Sequence, residues 1–578
     1  MDDTGLTEDN LLIPDEVEQN RRDDAVAGRR MALGAVIISF FLFLGKMSGY
    51  VRSFLMAGWF GSNARTDAFY KINDVLITGT YSNFEKVLRP AYLPQFIREG
   101  KSGGDESAWR VTSVVANLEL AALVVLCAVL EVFAPQIIRL SWRNLAAEPV
   151  SFAIATTLLR VMAPTTIFLS LSLIPELTLH AYKRFTIPAV ADFLYRIMLV
   201  VGLVIGVFIL RNPAEPRPIL AAAIGVVIGG SMRFFAMLPG LWTRLRYYRP
   251  NFSPAAIPGA MTVLNLMPPI LVGMVAAYAR GYADTVYTDS IGAGAYTFLK
   301  YGRQMGDAAL QILPLAVSFV VYPFLSEWAA RGEKDKLADS LVSMTRIMAF
   351  IFVPVAALVM LLSRNIITIM LEHGAMTSEG AHYSSIALFC YAPGLVFFAL
   401  EGSINKWYFA LQDTKTPNYW GAAMAVLNIL MGYIGVFVLY ERGLIGYAGA
   451  LAAVSLSLTI SKSAKVVILY ALIRRRIGAI DRRAAIIFAM KLAAATAVMA
   501  LAAYVVMQAI QAPLMTWQPS FLANKPNLLK KFHMLAVWGA VTCGGGLVFF
   551  TAAALLKLEE LQQISAFVKE KVGKRLKR

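Results

Sequence analysis

Apolar runs of about 20 residues recur along almost the whole chain, from residue 33 to residue 556. An α-helix of this length crosses the hydrocarbon core of a bilayer and satisfies its backbone polar groups internally. With 58% hydrophobic and only 16% charged residues, the chain does not have the composition of soluble domains. The sequence therefore predicts an all-α polytopic membrane protein with about 14 transmembrane helices. The predicted spans are 33–58, 68–93, 111–134, 152–178, 186–210, 218–241, 258–279, 291–324, 340–362, 382–411, 418–439, 447–473, 484–510 and 533–556.

The positive charges are distributed unevenly between the two sides of the predicted membrane. The chain has 54 Lys and Arg residues against 37 Asp and Glu, giving a net charge of +17. If the N-terminus is cytoplasmic, about 28 basic residues fall in cytoplasmic segments and about 11 in the opposite loops, which is the usual bias of membrane proteins. This pattern predicts that both termini are cytoplasmic, and it attributes the net charge to topology rather than to nucleic-acid binding.

The two ends of the chain differ in composition. Residues 1–32 are polar, begin with an acidic stretch and contain no apolar run with a cleavage site, so we predict a disordered cytoplasmic tail and not a signal peptide. Residues 557–578 are predicted to form a basic cytoplasmic tail that contacts lipid headgroups. Cys127, Cys390 and Cys543 fall inside predicted spans without a Cys/His cluster, so neither a disulfide nor a metal site is expected.

An internal repeat is visible in the proline positions. Three proline-containing segments have counterparts 229 residues later in the chain, with similar flanking residues. The pairs are Pro94 with Pro323, Pro164 with Pro393, and Pro188 with Pro417. Because this offset spans six predicted helices, the two copies have the same orientation in the membrane. Parallel repeats of this kind form two lobes around a central pathway in transporters.

The repeat divides the predicted membrane domain into three parts. We predict an N-lobe at 33–241 and a C-lobe at 258–473, each of six helices, with a central cavity between them. Two further C-terminal helices follow at 484–556.

Two cations in the first span have no acidic residue in the same helix to neutralise them. Lys46 and Arg52 lie about 13 and 19 residues into this span. A separation of six residues places them roughly 120° apart on a straight helix. Ser48 and Gly49 stand between them, and a Gly/Ser pair is a common place for a kink. A bend at these two residues would turn both cations toward one cavity. Without it, one of the two cations would need a partner on another helix.

Other charges inside the spans have candidate partners on the same helix. A separation of three or four residues allows pairing on one helix face. The pairs with this spacing are Glu85 with Arg89, Asp192 with Arg196, and Lys71 with Asp74. Any single charge inside a span can therefore be explained without a functional role, either by such pairing or by a side chain that reaches the membrane interface.

The eighth span contains a second group of cations. Lys300 and Arg303 are three residues apart on one face, and Asp307 follows Arg303 by four residues. One interpretation is an intrahelical pair between Arg303 and Asp307. The other is a cationic patch that faces Lys46 and Arg52 across the central pathway, since the repeat relates helices 1 and 2 to helices 7 and 8.

A cavity with this charge favours an anionic ligand. Guanidinium groups match phosphate oxygens in a bidentate geometry, whereas an exporter of cations needs unpaired carboxylates. The best acidic candidates, Asp67, Glu85, Glu176 and Glu401, mostly lie near span ends or beside basic residues.

Several segments resemble one known family when they are taken in order. They are GKMSGYVR (45–52), FGSNARTDAFY (60–70), YLPQF (92–96), LNLMPP (264–269), the Arg303 helix with VYPFLSEWAARG (321–332), and ALQDTKTP (410–417). Together they resemble the MurJ/MviN family, which are flippases of the peptidoglycan precursor lipid II within the multidrug/oligosaccharidyl-lipid/polysaccharide exporter superfamily. The resemblance covers roughly residues 33–475, and the predicted helix count agrees with it.

The resemblance implies roles for particular residues. Lys46, Arg52 and Arg303 match basic residues that line the family's central cavity, while Asp67 and Glu85 match an aspartate at the start of helix 2 and a glutamate farther along it. The last two spans would form a groove for the polyprenyl tail. The sequence also departs from the family pattern. Thr80 stands where the family has a helix-2 arginine, and Ser53 replaces a frequent acidic residue.

The expected function is movement of an undecaprenyl-pyrophosphate-linked saccharide, lipid II in the first instance, across the bacterial inner membrane by alternating access. Lys46, Arg52, Lys300 and Arg303 would bind the pyrophosphate, with Asp67, Glu85, Ser48 and Gly49 as cavity or gating residues. No bond is broken, so no catalytic residue, cofactor or metal is expected. The sequence shows no nucleotide-binding P-loop, and a membrane potential or ion gradient would supply the energy.

The expected partners are the lipid-linked substrate, membrane lipids and the cell-wall synthesis machinery. Three alternatives remain open at this point. They are a flippase for another lipid-linked oligosaccharide, a cation or drug exporter, and a non-transporting scaffold for envelope assembly.

Overall fold

The computed structural model describes residues 14–210, 217–253, 257–310, 321, 324–477, 482–516 and 526–562. Within these ranges the chain is almost entirely helical and forms no β-strand. The helices of the first half are α1 (Pro14–Phe60), α2 (Ala64–Lys71), α3 (Thr78–Val132), α4 (Ala134–Ser141), α5 (Arg143–Ala147), α6 (Pro149–Met162), α7 (Pro164–Leu171), α8 (Leu173–Ala181), α9 (Thr186–Leu210) and α10 (Arg217–Met237). A π-helical segment, Ile72–Ile77, joins α2 to α3, and a 3-10 segment, Leu238–Tyr247, follows α10.

The second half begins with a long helix that starts at Pro258. Its helices are α11 (Pro258–Ile291), α12 (Ala295–Leu310), α13 (Lys334–Leu361), α14 (Ser363–Leu371), α15 (Ser378–Tyr391), α16 (Gly394–Ala410), α17 (Lys415–Tyr433), α18 (Tyr447–Ile477), α19 (Arg482–Thr516) and α20 (Pro526–Leu555). A second π-helical segment, Ile434–Tyr440, extends α17.

The prediction of a multi-span helical membrane protein is confirmed. Nine helices in the described part of the chain are long and apolar enough to cross a membrane, or ten if α15 and α16, which meet at 49°, form one span. One of the nine, Ala64–Val132, contains two predicted spans joined through a break at Gly103 and Gly104. Gly104 has φ +71°, which a glycine adopts without the steric penalty of a Cβ. The number of fourteen spans stays a prediction.

The helices pack as two groups with contacts between them. In the first group, α9 lies against α1 and α10, while α3 packs on α7 and α8. In the second, α12 packs on α15, α13 packs on α16, and α18 contacts α15, α16 and α17. The two groups meet where α3 contacts α11, α2 contacts α12, and α1 contacts α14. The helices α19 and α20 pair with each other and lie against α13 and α14. The boundaries 33–241, 258–473 and 484–556 themselves stay predictions.

Small residues allow some of these helices to approach closely. A Cβ built on Gly202 of α9 would lie 2.6 Å from the Cα of Gly225 on α10, so no larger residue fits without moving the helices. Close helix contact through small residues is typical of membrane proteins, because packing replaces the hydrophobic driving force there.

The repeated prolines occupy matching places in the two halves. Pro164 and Pro393 both lie at a break, between α6 and α7 in one half and between α15 and α16 in the other. Pro188 and Pro417 are each the third residue of their helix, α9 and α17. Pro94 lies inside α3, and its counterpart at position 323 lies outside the described residues. These matches support the proposed parallel repeat.

The predicted tails agree only in part with the structure. The helix α1 begins at Pro14, so residues 14–32, which the sequence analysis predicts to be disordered, are helical. The segment is rich in Glu, Gln, Arg and Ala, which are good helix formers, and proline is favoured at the first position of a helix. Residues 1–13 and most of the basic tail at 557–578 lie outside the described residues.

Candidate functional site

A cavity of about 370 Å³ lies where α1, the π-helical segment, α9 and α12 meet. We call it the first cavity. It contains all four predicted binding cations, together with Gly49. The lining residues are Lys46, Gly49, Tyr50, Arg52, Asp74, Arg196, Tyr296, Leu299, Lys300, Arg303, Gln304 and Asp307. Five of them are cationic and two are acidic, so the cavity has a positive charge that favours an anionic ligand.

The helix α1 brings both of its cations to this cavity without a break. The α-helix is continuous through Ser48 and Gly49, and the Ser48 hydroxyl donates a hydrogen bond to the Gly45 carbonyl at 2.7 Å. The helix is thus not broken at these two residues, and the bend expected there stays a prediction. Lys46 and Arg52 nevertheless both line the cavity, since their long side chains can reach it from different positions on the helix. The Arg52 Nε atom is buried and has no hydrogen-bond partner among the described residues.

Ser53 and Gln304 fasten α1 to α12 beside the cavity. The Ser53 hydroxyl donates to Gln304 Oε1 at 2.7 Å, and Gln304 Nε2 donates to the Gly49 carbonyl at 3.2 Å. Ser53, which departs from the family pattern, therefore acts as a helix contact here.

Arg303 is oriented by an acidic residue on a different helix. Its Nη1 atom donates to Asp284 Oδ2 of α11 at 2.6 Å, and its Nη2 atom donates to the Val454 carbonyl of α18 at 3.3 Å. Asp307, the predicted intrahelical alternative, instead accepts a hydrogen bond from the Tyr391 hydroxyl at 2.5 Å. Arg303 is thus held by α11 and α18 while it lines the first cavity.

Lys300 is also paired across helices. Its ammonium group bonds to Asp74 of the π-helical segment and lies 4.2 Å from the centre of the Tyr70 ring. The predicted pair of Lys71 with Asp74 is wrong, because Lys71 bonds to Asp289 at 3.2 Å. The change from α- to π-helix after Lys71 alters the angular step per residue, so the spacing rule for an α-helix does not apply.

Arg196 of α9 is a cavity residue that the sequence analysis did not select. Its Nε atom donates to Asp192 at 2.8 Å, which confirms the predicted pair, and its side chain also reaches the first cavity. A Cβ built on Gly45 would lie 3.0 Å from Arg196 Cδ, so α1 has room for this arginine because residue 45 is glycine. Thr80, at the position of the family's helix-2 arginine, donates to the Leu76 carbonyl at 2.6 Å and does not line the cavity.

Arg196→Gln is expected to weaken binding of inorganic pyrophosphate to the purified protein by about tenfold or more, since a hydrogen bond to a charged group contributes ~1.5–3 kcal/mol. Asp192 keeps a cationic neighbour in the variant, because Arg233 Nε lies 3.8 Å away. Titration calorimetry measures the effect. Arg160→Gln, on the exposed surface of α6, is the matched control. Equal affinities for the wild type and the Arg196 variant would contradict this role.

Glu85 does not line the first cavity. It pairs with Arg89 at 2.8 Å, as predicted, and Arg89 also bonds to Glu176 at 2.7 Å. Glu176 in turn bonds to Arg233 at 2.8 Å. Glu85 therefore belongs to a network of alternating charges within the first half of the chain.

Asp67 does not line the cavity either, but it joins the two halves of the chain. Its carboxylate is almost fully buried and accepts three hydrogen bonds at the start of α12. The donors are the backbone N–H groups of Gly294 and Thr297, each at 2.8 Å, and the Thr297 hydroxyl at 2.6 Å. A carboxylate at a helix N-terminus satisfies otherwise unpaired N–H groups and interacts favourably with the helix dipole.

A second buried contact lies beside Asp67. Lys71 bonds to Asp289 at the end of α11. The Asp289 carboxylate also accepts hydrogen bonds from the backbone N–H groups of Asn144 at 2.9 Å and Leu145 at 3.3 Å. We call these two contacts, formed by Asp67 with α12 and by Lys71 with Asp289, the α2-end contact. They close the space between the halves at the end of α2.

The segment between α14 and α15 also packs on α1. The Ala375 N–H donates to the Gly58 carbonyl at 2.7 Å, and the His373 ring stacks on Phe54 with centroids 3.9 Å apart. Burial, and then the positive charge of Lys531, lower the pKa of His373 below its ordinary value of about 6.5. The packed state therefore holds the imidazole neutral.

We expect this packing to weaken as the pH falls below about 6.5. Opening the contact returns the His373 pKa toward its ordinary value, so the open state binds the proton more readily and gains population in acid. We would place one cysteine in α1 and one in the 372–377 segment. The rate at which they form a disulfide, measured from pH 8 to pH 5, reports how often the two segments are in contact. His373→Phe keeps an aromatic ring on Phe54 and should show only the fall in rate that the smaller thiolate fraction causes in both proteins. The same profile in both proteins would contradict the prediction.

Comparisons with known proteins agree with this architecture. The family model for lipid II flippase MurJ matches residues 56–524. The chain is 23% identical to a probable lipid II flippase MurJ of Vibrio cholerae, with 75% of this chain and 82% of that protein covered. It is 24% identical to lipid II flippase MurJ of Burkholderia cenocepacia, with 74% and 83% covered.

Solved structures show the same fold. Lipid II flippase MurJ in an inward closed conformation superposes with a TM-score of 0.69 at 21% identity, over 90% of this chain and 98% of that one. An inward-facing multidrug resistance MATE family transporter of the MOP superfamily superposes with a TM-score of 0.62 at 13% identity, over 77% and 98%. The family model covers most of the chain, and the fold is the same as that of a solved lipid II flippase MurJ structure. The chain therefore belongs to the lipid II flippase MurJ family.

Proposed function

We propose that this protein moves lipid II from the inner to the outer leaflet of the bacterial cytoplasmic membrane by alternating access. Family membership supports the substrate, and the cationic first cavity supports binding of its pyrophosphate. The observation that carries the proposal is the convergence of Lys46 and Arg52 from α1 with Lys300 and Arg303 from α12 on one cavity. The lipid is moved without chemical change, so the protein acts as a transporter and needs no cofactor.

The four cations have different roles in this proposal. Asp284 holds Arg303, and Asp74 holds Lys300, so these two groups provide a fixed positive surface. Arg52 has a buried Nε without a hydrogen-bond partner in the described part of the chain and is suited to donate to a phosphate oxygen. Lys46 lies on the same wall and adds a further positive charge. The pyrophosphate is bound among them while the polyprenyl chain stays in the lipid.

The α2-end contact sets the direction of opening. If the termini are cytoplasmic, the connection between α1 and α2 faces the outside, and the α2-end contact closes the outer side. The two halves then rock so that this contact opens and the cytoplasmic side closes, and the headgroup is released outside. Arg303, Asp67 and Asp289 all act at the boundary between the halves, where such a movement takes place.

The membrane potential is the proposed driving force for resetting the cavity. Once the anionic headgroup has left, the first cavity regains its positive charge. A potential that is negative inside favours inward movement of positive charge by about 2.3 kcal/mol per charge per 100 mV. An ion gradient is the alternative source of energy.

Two further parts of the proposal concern the lipid and its surroundings. The paired helices α19 and α20 would form the groove for the polyprenyl tail, at the edge of the helix bundle. Enzymes of cell-wall synthesis would supply the substrate on one side of the membrane and use it on the other. The positive first cavity opposes export of a cationic drug, because like charges repel more strongly where water is excluded.

Depletion of the protein in its own bacterium tests the function. We expect lysis, with lipid II accumulating in the inner leaflet where an externally added lipid II-cleaving enzyme cannot reach it. Plasmid-borne wild type should restore access, whereas Arg52→Ala should not restore it at equal protein level. Viable cells that lose only a surface polysaccharide would instead indicate another lipid-linked oligosaccharide, and full rescue by Arg52→Ala would favour a scaffold.

A further inference from the structure

A second, larger cavity of about 650 Å³ lies between α3 of the first half and α11, α16, α17 and α18 of the second. We call it the second cavity. Its wall contains four cationic residues and one acidic residue. The charged members are Lys86, Arg280, Glu401, Lys462 and Lys465. None of these cations belongs to the predicted binding site.

The single acidic residue does not neutralise the second cavity. Glu401 accepts from Lys462 at 2.7 Å and from Lys465 at 2.6 Å, so two ammonium groups share one carboxylate. Arg280 lies 4.0 Å from Asp284, but that carboxylate is bonded more closely to Arg303, at 2.6 Å. Arg280 and Lys86 therefore lack an acidic partner of their own in this wall.

The like charges come from both halves of the chain. Lys86 belongs to α3 and lies within electrostatic reach of Arg280 on α11, and Arg280 is also close enough to act on Lys462 of α18. Glu85, the chain neighbour of Lys86, is bonded to Arg89. When the two halves approach each other here, these cations come closer and lose water, so their repulsion increases.

An anion bound between the halves would replace the repulsion among these cations with attraction. A carboxylate or phosphate placed among Lys86, Arg280 and Lys462 would accept charge-assisted hydrogen bonds from both halves at once. Asp284 connects this place to the first cavity, since it contacts Arg303 on one side and Arg280 on the other. The two cavities are therefore adjacent along the boundary between the halves.

We infer that the second cavity is an anion-binding site whose occupancy allows the two halves to close on this side of the protein. The inference rests on the proposed function in one respect, because closure on this side is a step of alternating access. Two sources have the required chemistry, namely a soluble phosphate-type anion and an anionic group on the headgroup of the transported lipid. In either case the empty protein resists closure, which would prevent futile cycling without cargo.

The test measures closure directly in the full-length protein. Ser102 in the first half and Lys415 in the second half are both exposed, and spin labels at these two positions report the separation of the halves by pulsed electron resonance. The exposed Cys543 is first replaced by serine. All measurements use the Arg52→Ala background, so that binding in the first cavity is already impaired.

Inorganic pyrophosphate is expected to raise the closure equilibrium constant about tenfold, within the usual range of coupling between sites. Lys86→Gln should close without the anion, because the repulsion across the boundary is reduced, and it should lose the response to pyrophosphate. Lys86→Arg should keep the response. Lys101→Gln, which changes an exposed lysine near one label, is the matched control and should behave like the parent.

Reconstitution with lipid II in place of pyrophosphate distinguishes the two anion sources. Closure with pyrophosphate but not with lipid II supports a soluble anion, and closure with lipid II, whether or not pyrophosphate also acts, supports a headgroup anion. No closure with either, or a Lys86→Gln variant as responsive as its parent, overturns the inference. Rescue of depleted cells by Arg52→Ala would contradict the proposed function while leaving an anion-dependent closure in place, so the two failures are distinguishable.

Discussion

Arg303→Ala is expected to reduce lipid II movement in cells by more than about 100-fold. The substitution removes a cation from the first cavity and leaves Asp284 buried without its close partner. Removing one member of a buried ion pair typically costs ~3–5 kcal/mol, and Arg280, 4.0 Å from Asp284, offsets only part of that loss. Access of an external lipid II-cleaving enzyme to its substrate measures the transport, with protein level followed by immunoblot.

The stability effect can be separated from the transport effect. Adding Asp284→Asn to Arg303→Ala removes the buried carboxylate that has lost its close partner, so the double variant should recover protein level and thermal stability. It should not recover transport, because the cavity still lacks its cation. Arg303→Lys keeps a charge but loses the two-pronged contact with Asp284 and the Val454 carbonyl, and we expect an intermediate loss. Normal transport by the double variant would show that Arg303 serves packing alone.

Asp67→Asn is expected to shift the protein toward the state in which the α2-end contact is open. The three groups that face this carboxylate are all donors, so an amide NH₂ in its place opposes them with a donor of its own. If the α2-end contact loses ~2–3 kcal/mol of stability, the ratio of open to closed protein increases by roughly 30- to 150-fold. Labels at Arg65 and Glu379 would report the change as an increase in the distance between the halves.

Two variants control for this effect. Thr297→Val removes one of the three hydrogen bonds to Asp67 and should produce a smaller shift in the same direction. Lys71→Met removes the neighbouring ion pair with Asp289 and should also favour opening. An Asp67→Asn distance distribution equal to that of the wild type would show that this carboxylate does not hold the halves together.

The helices could be predicted from the sequence because the bilayer imposes a minimum apolar length on each of them. The repeated prolines also predicted equivalent positions in the two halves, because Pro164 and Pro393 lie at corresponding helix breaks. The start of α1 could not be predicted in the same way, since residues 14–32 are polar and the apolar-length rule does not apply to them.

The cations that line the first cavity could be predicted for a similar reason, because an unneutralised charge in a membrane helix is rare and needs a cavity. The ion-pair partners of these cations could not be predicted. The sequence suggested Asp307 for Arg303 by its spacing of four residues, whereas the structure uses Asp284 from another helix. Arg196 was missed because its pairing with Asp192 already explained it, although the same side chain reaches the first cavity. Contacts between helices are set by packing that a one-dimensional spacing rule does not contain.

The most direct test of the central claim is lipid II movement by the purified protein in vesicles. Fluorescent lipid II is incorporated into both leaflets, and an impermeant reductant quenches only the label that reaches the outside. We predict that quenching continues past the outer-leaflet fraction in vesicles with the wild type. The control Arg331→Ala, which alters an exposed surface ion pair, should behave in the same way. Vesicles with Arg303→Ala should stop at that fraction. Quenching by the wild type that is no more complete than in protein-free vesicles, or equal quenching with Arg303→Ala, would contradict the account.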